Sequence, residues 1–220
     1  MKNTLVACFL VLSLTACASS SSSQQKNLTA DEYAYLGVQA EKKAQYHQAL
    51  DFYDQSCQKD NANACFLAGA LLYEKKIPQQ RNEMFSYFTK ACDANQAAAC
   101  YGLGNIYRLG RGVEKNYQKS VQFYQKACTL NDYDACTNLG TMYRLGLGVR
   151  QNSEQSNVLF IKGCQGKSNV GCFNLAQSYE LNIGVKKNLS TAKEYYGKSC
   201  DLGYQKGCDL YKQLKQKGIK

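Results

Sequence analysis

Ten of the chain's cysteines fall at a fixed step. They pair as Cys57/Cys65, Cys92/Cys100, Cys128/Cys136, Cys164/Cys172 and Cys200/Cys208, with seven residues inside each pair. The first members advance by 35, 36, 36 and 36 residues. Chance does not produce five such pairs. A step of this length marks an array of stacked helical units, each touching only its neighbours, rather than one closed core. An even set of cysteines in an exported chain also reads as a disulfide framework. A zinc reading fails, because the spacing is not that of a metal knuckle and the chain has one histidine, His47, which is read as an exposed residue.

Export is signalled at the N-terminus. Lys2 precedes a short apolar run, Leu5 to Leu14, too short to span a bilayer. Leu14-Thr15-Ala16-Cys17 follows and resembles the lipobox of bacterial lipoproteins. The resemblance implies a signal peptide over residues 1–16, cleavage before Cys17 and lipidation of its thiol. Ser19 to Ser23 lie in a flexible tether spanning residues 17–28. Ala18 is not the aspartate that holds such lipoproteins at the inner membrane, so the expected location is the outer membrane, lipid-anchored.

The unit between cysteines reads as two helices. Leu103, Ile106 and Tyr107 share one helical face, and Gly110-Arg111-Gly112 then supplies residues able to take the left-handed conformation that stops a helix. Leu139 to Val149 and Leu175 to Val185 echo that segment. Asn116, Asn152 and Asn188 are placed to cap a second helix. That helix carries large doublets, Phe52-Tyr53, Tyr87-Phe88, Phe123-Tyr124, Leu159-Phe160 and Tyr195-Tyr196, which are read as core. Each cysteine pair then brackets the short link from one helix to the next, a geometry that permits bridging within the pair. Thr29 to Glu32 fits a capping box that opens the array, and a polar helix from about Gly207 to Lys217 closes it.

The Leu-Gly-x-x-Tyr-x-x-Gly-x-Gly-Val pattern resembles the Sel-1-like repeat, a relative of the tetratricopeptide repeat. With its Cys-x7-Cys pairs, the chain is similar to the Helicobacter cysteine-rich protein (Hcp) family. The resemblance implies an all-α fold: a right-handed superhelical α/α solenoid over residues 29–217, with one disulfide per repeat. It implies two activities. Sel-1-like proteins act as adaptors between proteins, while the cysteine-rich family carries a label of beta-lactamase or penicillin binding.

The chemistry of a serine beta-lactamase needs Ser-x-x-Lys with Ser-Asp-Asn and Lys-Thr-Gly companions. Ser23/Lys26, Ser56/Lys59 and Ser190/Lys193 match the first element, and the companions are absent. No catalytic residue, cofactor or metal is therefore expected. A nucleic-acid partner is not expected either, although a net charge of +10 favours acidic partners or anionic surfaces. Binding is expected on the first helices, which line the concave side of such a superhelix. Positions one, five and eight after a cysteine form a stripe there: Tyr101, Asn105, Arg108; Thr137, Thr141, Arg144; Phe173, Gln177, Glu180. Asn138 and Asn174 lie beside it. Amides can pair with the backbone of an extended peptide and the arginines with a carboxylate. The expected partner is an envelope protein or peptide, with a cell-wall stem peptide or a beta-lactam as the alternative under the hydrolase reading.

Overall fold

The computed structural model describes residues 28–74 and 83–219. The signal peptide, Cys17, Ser23/Lys26 and the Lys75 to Pro78 connection lie outside the described residues. Among those described, eleven helices follow one another in five antiparallel pairs and a final single helix. These are α1 (Ala30–Lys42) with α2 (Tyr46–Gln58), α3 (Ala62–Tyr73) with α4 (Met84–Asp93), and α5 (Ala97–Leu109) with α6 (Tyr117–Thr129). Then come α7 (Tyr133–Leu145) with α8 (Ser153–Gln165), α9 (Asn169–Leu181) with α10 (Leu189–Asp201), and α11 (Gln205–Gln216). None is long and apolar enough to cross a membrane.

The termini form where the sequence places them. Thr29 and Glu32 make a reciprocal capping box at α1. Asn116, Asn152 and Asn188 each accept from the backbone N–H three residues on and so cap α6, α8 and α10. Gly110 and Gly146 end α5 and α7 at φ +68°, and Asn182 takes the same left-handed role after α9. The structure adds a second left-handed position. Asp60, Asn95, Asn131, Lys167 and Gly203, each three residues after a cysteine, have positive φ. The next residue then caps the following helix through its side chain at Asn61, Gln96, Asp132 and Ser168. This compact turn lets each pair of cysteines meet.

All five expected disulfides are formed: Cys57–Cys65, Cys92–Cys100, Cys128–Cys136, Cys164–Cys172 and Cys200–Cys208, with Cα–Cα distances of 4.5–4.8 Å. Each joins the second helix of one pair to the first helix of the next. The cysteines bracket the short links as expected, and Cys65, Cys136 and Cys172 are also buried, at 1%, 0% and 1% exposure. Each stands in the first turn of its helix, α3, α7 or α9, on the side facing the preceding pair. The Sγ atoms of Cys65, Cys136 and Cys172 lie 3.7–3.8 Å from the carbonyl oxygens of Cys57, Cys128 and Cys164. These residues are therefore core groups as well as covalent staples, and they offer no surface to a ligand. The packing explains why that position matters: contact within a pair is extensive, while contact between pairs is thinner.

Within a pair, the second member of each doublet is the core residue. Tyr53, Tyr124, Phe160 and Tyr196 are wholly buried and Phe88 nearly so. The ring lies on a glycine of the partner helix: a Cβ on Gly104 would sit 2.5 Å from the Tyr124 ring, and one on Gly140 would sit 2.8 Å from Phe160. The first member stacks instead on a tyrosine seven residues after the cysteine, Phe123 on Tyr107 and Tyr195 on Tyr179. In α11 the equivalent of that glycine is Lys212, so this helix offers no seat for another ring.

Candidate functional site

First helices of successive pairs touch, α5 with α7 and α7 with α9, which puts them on the tighter, inner side of the array. Residues two, five and nine after a cysteine share one helical face. They give three parallel rows on α5, α7 and α9: Gly102, Asn138, Asn174; Asn105, Thr141, Gln177; Leu109, Leu145, Leu181.

The structure redistributes the expected stripe. Position one does not face open space throughout. Tyr101 is half-buried, but Thr137 and Phe173 are buried. The Thr137 hydroxyl lies 3.1 Å from both the Tyr133 carbonyl oxygen and Ser168 Oγ, and Phe173 packs against Tyr196 and Tyr204. These residues seal one pair to the next.

Position eight is engaged by the core of its own pair. Glu41, its counterpart in α1, accepts from the Tyr53 hydroxyl at 2.8 Å, and Glu180 accepts from Tyr196 at 2.6 Å. Arg108 donates through Nε to Tyr124 Oη at 3.0 Å, and that hydroxyl donates to Asn105 Oδ1 at 2.8 Å. Where the buried ring has no hydroxyl the partner changes. The Arg144 guanidinium sits 5.0 Å from the Phe160 centroid, and Tyr73 meets Phe88 edge-on. Arg144 also donates to Asn174 Oδ1 at 3.2 Å, across the junction between pairs. The expectation that Arg108 and Arg144 stand free to take a ligand carboxylate is therefore corrected, because both arginines are half-buried and hold aromatic core groups. Reversing their charge would disturb the fold itself. Asn138 and Gln177 are half-buried, whereas Asn174 is buried.

The rows also contain apolar groups outside the expected stripe. Leu109, Leu145 and Leu181 are exposed by 41%, 60% and 59%, at one position of three successive repeats. Their signal is present in the sequence: each precedes the left-handed stop residue. Single exposed leucines are ordinary, but an aligned row beside amide and hydroxyl groups is a surface for contact.

In each of the two Ser-x-x-Lys matches among the described residues, one member is held in a structural hydrogen bond. Ser56 is fully buried and donates to the Ala30 carbonyl oxygen at 2.6 Å. Lys193 donates to the Ile219 carbonyl oxygen at 2.6 Å. His47 is exposed near the start of α2. Among the described residues no group of three or more His, Cys, Asp or Glu could hold a metal ion.

Burial and the neighbouring carboxylates push the Tyr53 and Tyr196 hydroxyls far above the usual tyrosine range, and burial raises Tyr124. In the unfolded chain the same groups ionise near pH 10. Stability from them is therefore complete below about pH 10 and is lost as pH rises above it. Thermal melts between pH 8 and 11 are expected to be level to pH 10 and then to fall. Tyr196→Phe should reduce that fall, and a Tm that stays level to pH 11 would refute the assignment.

Four stretches match the Sel1 repeat family, residues 62–96, 97–132, 134–168 and 170–204, together more than half of the chain. Cytochrome c oxidase assembly factor 7A of Xenopus laevis is 32% identical over 89 residues, 40% of this chain and 38% of that protein. HcpC of Helicobacter pylori, which carries a beta-lactamase name, is 41% identical over 51 residues, 23% of this chain and 17% of that protein. The chain thus spans well under half the length of these curated relatives. Among solved structures, a protective antigen of uropathogenic Escherichia coli aligns with a TM-score of 0.80 at 22% identity, covering 86% of this chain and 42% of that one. This last likeness concerns the fold alone.

Proposed function

We propose, starting from the fact that the chain belongs to the Sel1 repeat family, that it is a binding scaffold for an extended protein segment. It would be carried on an exported lipoprotein anchored through Cys17 at the outer membrane. The observation that carries the reading is the inner face itself. Exposed Leu109, Leu145 and Leu181 run beside Asn105, Thr141 and Gln177, so apolar contact and amide pairing repeat together from one first helix to the next. An extended peptide presents side chains and backbone amides with a matching alternation. The similarity to HcpC raises hydrolysis of beta-lactams or binding of cell-wall peptides as the alternative. Its support is weaker, because Ser56 of the Ser56/Lys59 match and Lys193 of the Ser190/Lys193 match are each held in a structural hydrogen bond.

Peptides selected by display on the purified protein test the scaffold reading. Leu145→Glu and Gln177→Ala change exposed or half-exposed groups, so they should leave the circular dichroism melt within about 0.5 kcal/mol of the parent. Each is expected to weaken the selected peptides at least tenfold. Equal binding by parent and variants would refute the inner face, and beta-lactam turnover by the parent would favour the hydrolase. Mass spectrometry of the mature N-terminus tests the anchor: an acylated Cys17 is expected, and a mature chain beginning elsewhere without lipid would overturn it.

A further inference from the structure

The junctions between first helices differ in one respect. Between α7 and α9, Arg144 reaches across to Asn174. Between α3 and α5 the same two positions are Tyr73 and Gly102, so no pair of side chains at these positions joins the two helices. A cavity of about 210 Å³ is left there, lined by Phe66, Tyr73, Phe88, Tyr101, Gly102 and Asn105 among others. It opens on the inner face, at the head of the rows described above.

Its walls say what it takes. Four aromatic rings make it apolar. Its volume is below the roughly 300 Å³ at which small-molecule sites begin, and it suits one large side chain. Asn105 supplies the polar group: its Oδ1 is taken by Tyr124 and Arg108, which leaves the Nδ2 donor for a backbone carbonyl oxygen. The charge nearby is positive. The Arg111 guanidinium lies 4.9 Å from the Tyr73 centroid, Arg108 follows Asn105 by one turn, and the chain carries +10 overall, against the single carboxylate of Glu74 at the cavity. A cationic guest would be repelled, although aromatic walls alone would accept one.

We propose that this cavity anchors one phenylalanine- or leucine-sized side chain of an extended peptide whose flanking residues are acidic. The proposal rests on the scaffold reading and names its specificity. Gly102 is the determinant. A Cβ there would lie 3.4–3.5 Å from the Phe88 ring, close to ordinary contact, so the helix tolerates a side chain. Gly102→Asn would fill the cavity and restore the residue that the later repeats carry.

The probe is a fluorescein-labelled heptapeptide, Asp-Glu-Ser-Xaa-Ser-Glu-Asp, with Xaa as Phe, Leu, Ala or Lys, titrated against the full chain by fluorescence polarisation. Phe and Leu are expected to bind roughly tenfold or more tightly than Ala and Lys, as burial of a large apolar side chain requires. Exchanging the four acidic residues for lysine should weaken the Phe peptide at least tenfold at low salt. Gly102→Asn should abolish the preference for Phe over Ala while leaving Tm unchanged. Equal binding of Phe and Ala, tighter binding of the lysine-flanked peptide, no binding at all, or a Phe preference that survives Gly102→Asn would each overturn the cavity. Leu145→Glu separates the two readings. If it weakens every peptide while Gly102→Asn weakens none, the cavity falls and the inner face stands; if neither variant matters, both fall. Self-association in sedimentation that Gly102→Asn removes would overturn the proposal in favour of a second copy.

Discussion

Full reduction of the five bridges is expected to lower the melting temperature by about 20–40 °C. Each closes a loop of nine residues, cysteines included, and in the chain-entropy model such a loop is worth roughly 2.5 kcal/mol, so five contribute on the order of 10 kcal/mol. That is comparable with the whole net stability of an ordinary domain. Position adds to number. The bridges cross the thinner interfaces between pairs, and in an array whose units touch only neighbours those interfaces set cooperativity. Loss of the bridges should therefore broaden the transition as well as shift it. Accessibility sets the order of loss. Cys200 and Cys208 are both half-buried, whereas Cys92 and Cys100 are both buried, and Cys65, Cys136 and Cys172 are shielded in the same way. Graded reductant with alkylation and peptide mapping should label Cys200 and Cys208 first. A Tm that moves by only a few degrees after complete reduction would show that helix packing alone holds the array.

The features legible in the sequence are those that repeat in the chain direction. Apolar spacing, the cysteine step and the Asn caps are local signals, and each maps onto one helix or one turn. The left-handed turn after each first cysteine is hidden because four residue types occupy it, at Asp60, Asn95, Asn131, Lys167 and Gly203, so its periodicity lies in backbone angle and not in residue identity. The binding stripe is half legible for a different reason. Helical spacing gives the direction of a side chain but not how far the next helix stands from it. Arg108 and Glu180 point toward the inner side, yet each meets a tyrosine hydroxyl of its own pair before it meets solvent. Thr137 is sealed by Ser168 from the following unit, 31 residues away in sequence. The side chain at position eight suits the buried ring, a hydrogen-bonding group for a hydroxyl and a cation or ring for a phenylalanine. That match needs both helices in view.

Alanine at Gly148 or Gly184 is expected to cost more than about 3 kcal/mol each. Two effects add at these positions. Both glycines have positive φ, +71° and +65°, where an L side chain costs roughly 1–2 kcal/mol. Both also press on backbone rather than on a side chain that could swing away. A Cβ on Gly148 would sit 2.3 Å from the Tyr117 carbonyl carbon, and one on Gly184 would sit 2.6 Å from that of Ser153. Those are the first residues of α6 and α8, so each glycine loop rests on the second helix of the preceding pair. Relief of the clash must push one pair away from the next, at the interface with least contact to spare. Gly203 separates the two effects. Its φ is +87°, nothing stands within 4 Å of its Cβ position, and Asn131 and Lys167 hold side chains at the equivalent site. Gly203→Ala should therefore cost only the backbone strain, about 1–2 kcal/mol. Urea melts of the three variants with bridges intact would measure the difference. A cost at Gly184 no larger than at Gly203 would show that the loop can yield. The larger cost carries a functional consequence, since spacing between pairs sets the separation of α5, α7 and α9 on the inner face. Gly148→Ala is then expected to weaken peptide binding even where the protein remains folded.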